Sequence, residues 1–65
     1  MWVEFMSVAN GYVAETWREL FAAEGLRIII MPPVGRGEDA SMRDERTIYV
    51  PTGKSHVARE ILRKI

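Results

Sequence analysis

The chain has no cysteine, so it forms no disulfide, and the thiolates that would hold a zinc-finger type of metal site do not exist in it. Small secreted domains usually rely on disulfides, so an intracellular, cytoplasmic setting is the expectation. No apolar run approaches the roughly 20 residues that cross a bilayer. Glu4 stands where a secretory leader would carry basic residues, so neither a membrane span nor a signal peptide is expected. Charge of one sign is also lacking, since nine basic residues balance nine acidic ones. Affinity for nucleic acid normally rests on a large positive excess, so this balance argues against a nucleic-acid partner.

What is present is distributed unevenly. Residues 1–24 hold four glutamates against one arginine, a net of −3, and residues 52–65 hold four basic residues against Glu60, a net of +3. At 65 residues the chain is one domain, and a domain of that size buries only about 60% of the surface its unfolded chain exposes. Its stability is therefore marginal unless a partner contributes.

Trp2 to Val8 is rich in aromatic and β-branched residues and runs into Asn10-Gly11, which predicts a strand ending in a turn. Its phase is open by one residue, so either Trp2 with Met6 or Val3 with Phe5 lies on the sheet face away from the helices. From Tyr12 to Glu24 the apolar residues Val13, Trp17, Leu20 and Phe21 recur at helical spacing. Asn10 is placed to cap that helix and Gly25 to end it. Arg27 to Met31 is a β-branched run stopped by Pro32-Pro33, and its lack of a polar face is typical of a strand covered on both sides. Residues 32–46 are mostly polar and aperiodic, which predicts a long mobile connection. Thr47 to Val50 alternates and stops at Pro51, giving a third strand, and Val57, Ile61, Leu62 and Ile65 mark a second helix opened near residues 52–55.

The order β-α-β-β-α predicts an α+β fold, a two-layer α/β sandwich with a three-stranded ferredoxin-like sheet and both helices on one face. A parallel pair of the first two strands, joined by a crossover through the first helix, is the expected start of that sheet.

Asn10, Ala14, Leu20 and Glu24-Gly25-Leu26 in the first half, with Val50-Pro51, Ala58 and Ile61-Leu62 in the second, resemble a bacterial family of small domains described as signal-transducing and linked by fold to PII-type regulators. The resemblance spans most of the chain. It implies a PII-like fold in which residues 32–46 take the place of the regulatory loop. It carries no catalytic residue with it.

The chemistry-bearing residues mostly favour plain structural readings. Gly53-Lys54-Ser55 looks like the end of a phosphate-binding loop, but the glycine that motif needs five positions earlier is Ile48 inside a strand, so the segment reads as a helix entry. His56 has no nucleophile or orienting carboxylate in a recognisable pattern. Metal binding would need Glu38, Asp39 or Asp44 from the polar connection, which is a poor preorganised ligand set, so no metal and no cofactor are expected. Lys54, Arg59, Arg63 and Lys64 fit a solvated helix end whose dipole favours cations. Gly35-Arg36-Gly37 is suited to an anion, because glycines free backbone amides and arginine offers a fork, and the free amides of residues 52–55 at the helix entry are a lesser candidate.

With no acid, base or nucleophile set in a cleft, an enzyme is not expected. The expectation is a regulatory or protein-interaction module. Its interaction face would be Trp2, Met6, Ile29, Met31 and Tyr49 on the sheet side away from the helices, together with the connection after the second strand. The partner is another protein or a second copy of the chain, as a homodimer. The alternative is a PII-like sensor of a small anionic ligand at Gly35, Arg36 and Gly37.

Overall fold

A computed structural model describes residues 1–35 and 39–65. The elements are β1 (Trp2–Val8), α1 (Gly11–Ala23), β2 (Ile29–Met31), β3 (Arg46–Pro51) and α2 (Ser55–Lys64). The three strands form one sheet in the order β1-β3-β2, with both neighbouring pairs antiparallel. This is the expected ferredoxin-like β-α-β-β-α arrangement. It corrects one detail: β1 and β2 run in the same direction but are not paired, because β3 lies between them.

Alternation along β3 divides the sheet into two faces. Ile48 and Val50 are fully buried and join Phe21 of α1 with Ala58 and Ile61 of α2 in one core, so both helices cover the same face. Thr47 and Tyr49 point the other way, and among the described residues no helix covers them. Small residues let the helices approach closely: Gly11 and Ala14 are the buried residues at the start of α1, and Ala58 is fully buried in α2. The helix face is therefore set by Ala14 and Phe21 with Trp17 beside them. Val13, expected on the core stripe, is 38% exposed. Ile65, expected on the second stripe, follows the last turn of α2 and is 61% exposed.

The ends of α1 follow the sequence closely. The Asn10 side chain accepts a hydrogen bond from the Val13 amide at 2.9 Å, satisfying one of the donors left free in the first turn. At the other end, Gly25 has φ +82°. The Leu26 amide reaches back to the Phe21 carbonyl and the Gly25 amide to that of Ala22, both at 2.9 Å, which is the Schellman arrangement. Leu26 then packs in the same core as Phe21. Gly25→Val is expected to cost about 1–2 kcal/mol, because a β-branched side chain resists positive φ. A urea melt checks this, and an unchanged midpoint would mean that the glycine conformation does not hold the helix end.

Candidate functional site

The uncovered face of the sheet is built by register. Tyr49 lies opposite Ile29 and Glu4, Thr47 opposite Met31 and Ser7, and Pro51 opposite Trp2. Directly opposed residues in a sheet share a face, so these eight side chains form one surface. Its apolar centre is a shallow concavity of about 300 Å³ lined by Trp2, Ile29, Met31 and Tyr49. Trp2 is 41% and Met31 45% exposed. β2, whose apolar character on both sides predicted double cover, is thus covered on one side only: Ile28 and Ile30 meet the core while Ile29 and Met31 do not.

Four of the five residues expected on this face are brought together here, and Met6 is not. The register of β1 shifts between Glu4 and Met6, a bulge in which Phe5 and Met6 both turn toward the helices and pack against the core. The Phe5 ring stands edge-on to Phe21, with centroids 6.3 Å apart. Neither phase considered for β1 is therefore right along its whole length. Trp2 lies outside, and Val3, Phe5, Met6 and Val8 lie on the helix side.

The concavity continues into a groove of about 730 Å³, sharing Met31 and Tyr49 and walled by Pro32, Pro33, Gly35, Glu45 and Thr47. Of the residues suited to an anion, Gly35 stands at this groove with φ +84°, while Arg36 and Gly37 lie outside the described residues. The far half of the connection is not the loose segment its composition predicts. Arg46, 8% exposed, donates from Nη1 to the Asp44 and Glu45 carbonyls and from Nη2 to the Ser41 carbonyl, at 2.9–3.0 Å. The Ser41 amide bonds the Asp44 carboxylate at 3.0 Å. The turn is also docked on α1: the Gly11 amide donates to the Met42 carbonyl at 2.8 Å. A Cβ at Gly11 would meet the Met42 sulfur at 2.9 Å and its carbonyl oxygen at 3.2 Å, so a larger residue would have to displace the methionine side chain and would crowd the bonded carbonyl. Sequence reasoning missed Arg46 because it read that residue as the end of the polar connection, where an arginine faces solvent, whereas β3 begins with it.

Elsewhere the surface offers less. A depression at the end of α1 is lined by Arg18, Ala22, Gly25, Leu26, Arg27 and Ile28, with no acidic or nucleophilic side chain among them. His56 is exposed on α2. Among the described residues no group of three or more His, Asp or Glu is placed to hold a metal ion, and no helix is long and apolar enough to cross a membrane. No family, curated protein or solved structure matches this chain.

Proposed function

We propose that the chain is a non-enzymatic regulatory module, working in the cytoplasm, that recognises a protein partner through the open sheet face and the adjoining groove. The observation that carries this reading is the cluster of Trp2, Ile29, Met31 and Tyr49 on a face that no element among the described residues covers. An apolar cluster beside a walled groove is the usual form of a peptide- or protein-binding surface.

The charges around the cluster describe the occupant. Glu4 is the one charged side chain among the strand residues of this face, and Glu45 stands at the groove. A segment with one or two large apolar side chains flanked by a basic residue complements both features. A second copy seated face to face fits less well, because it would bring two Glu4 carboxylates to one apolar contact. Strands of seven, three and six residues, at about 3.3 Å per residue and about 4.8 Å apart, give a footprint of roughly 250 Å². Two such faces would bury roughly 500 Å² in all, below the ~1,000 Å² of a stable interface. The anionic-ligand reading has less support, since Glu45 disfavours an anion in the groove.

Selection from a phage-displayed peptide library provides the test. Peptides enriched in aromatic or aliphatic residues beside Lys or Arg are expected, with Ile29→Glu and Tyr49→Glu each weakening their binding about tenfold or more while the helical circular dichroism persists. No enrichment, or selected peptides that bind both variants as well as the parent chain, would contradict the proposal.

A further inference from the structure

The two edges of the sheet are treated differently. β2 presents only three residues and runs into Pro32-Pro33, the short, proline-ended form that discourages strand addition. β1 presents seven residues with no proline and no lysine, and among the described residues no strand pairs with its outer side. Its helix-side residues are also incompletely covered. Val3 is 36% exposed and Phe5, Met6 and Val8 are half-buried, whereas Ile48 and Val50 of the neighbouring strand are fully buried. With Trp2 half-exposed on the open side, apolar surface flanks this edge on both faces. Such an edge is completed by a strand that brings its own two layers.

We infer that the outer edge of β1 pairs antiparallel with β1 of a second copy of the chain, joining two three-stranded sheets into one of six strands. The register follows from the facing of the side chains, because opposed residues must point to the same side. If Phe5 lies opposite Met6 of the second copy, then Glu4 meets Ser7 and Val3 meets Val8. Every pair then matches: Val3, Phe5, Met6 and Val8 are on the helix side, Glu4 and Ser7 on the open side. The bulge makes this match, since without two successive residues facing inward a pairing of Glu4 with Ser7 would place its members on opposite faces. The register also sets each Glu4 against a neutral serine, where a shift that opposed the two Glu4 residues would be repulsive.

The pairing has a consequence for the function proposed above and rests on that reading only for this consequence. Two open faces of roughly 250 Å² become one platform of roughly 500 Å². A partner covering it would bury about 1,000 Å² in all, the size at which a specific interface begins.

Sedimentation velocity over a concentration series tests the edge directly. The parent chain is expected to show a concentration-dependent monomer–dimer equilibrium. Ser7→Glu should raise its dissociation constant about tenfold by opposing Glu4 of the second copy, and Ser7→Lys should lower it by pairing with that Glu4. The double exchange Glu4→Lys with Ser7→Glu should restore the dimer lost in Ser7→Glu, which a purely structural effect would not do. A parent chain that stays monomeric at its highest soluble concentration, or a dimer indifferent to the charge at residue 7, would overturn the proposal. A dimer broken by Tyr49→Glu and untouched by Ser7→Glu would place the second copy on the sheet face, overturning the edge pairing and the partner reading separately from any peptide result.

Discussion

Phe21→Ala is expected to leave little folded protein at ambient temperature. Phe21 is fully buried and belongs to the core cluster that joins both helices to β3. It also carries the aromatic contacts of that core, with Phe5 edge-on at 6.3 Å and Trp17 tilted at 5.7 Å. Truncating a buried phenylalanine costs about 3–5 kcal/mol, because transfer free energy is lost and the cavity refills only in part. A domain of this size has a total stability of roughly 3–10 kcal/mol. The substitution therefore removes a large share of it, and the described residues form no second core to compensate. Loss of near-ultraviolet circular dichroism together with a urea midpoint far below that of the parent chain is the expected outcome. A variant melting with the parent's midpoint would mean that the core is organised around other residues.

Arg46→Met is expected to cost about 2–3 kcal/mol, an unusual effect for a charged residue in a small domain. The methionine keeps much of the buried stem but removes three donors, leaving the Ser41, Asp44 and Glu45 carbonyls without the guanidinium that now joins them. Hydrogen bonds to a charged group contribute more than neutral ones, and three of them are lost together at a part-buried site. The effect should extend beyond stability. With the turn released, the Gly11 amide loses the Met42 carbonyl that it bonds at 2.8 Å, so its hydrogen exchange should speed up relative to amides in the middle of α1. Arg46→Lys should recover little, since a point charge cannot reproduce the fork. Unaltered Gly11 exchange in the methionine variant would separate the staple from the docking of the turn.

How far the fold could be read from the sequence depended on whether the signal was local. β1 was legible at both ends, because Trp2 to Val8 is bounded by a turn. Asn10 and Gly25 were legible because capping chemistry acts within four residues. The faces of the helices were less so. Val13 is more hydrophobic than Ala14, yet Ala14 is the residue the sheet buries, since close approach selects for small size as well as apolarity. The bulge in β1 was illegible in principle: Phe5 and Met6 are both apolar, and only the pairing with β3 decides that both turn inward. Arg46 was missed for a related reason. Its burial is created by a turn whose carbonyls converge on it, and nothing in the polar run of residues 39–45 announces that convergence. The candidate face was largely visible, because alternation in β2 and β3 fixed Ile29, Met31 and Tyr49 on one side whatever the phase of β1.

Docking of a partner on the open face of the sheet can be mapped residue by residue in solution. A ¹⁵N-labelled sample titrated with the best library-selected basic-apolar peptide should show its largest amide shifts at Trp2, Ser7, Ile29, Met31, Thr47 and Tyr49, with small changes along the outer sides of α1 and α2. Largest shifts at Tyr12, Arg18, Arg59 or Arg63, with the open face silent, would place recognition on the helix layer and contradict the account.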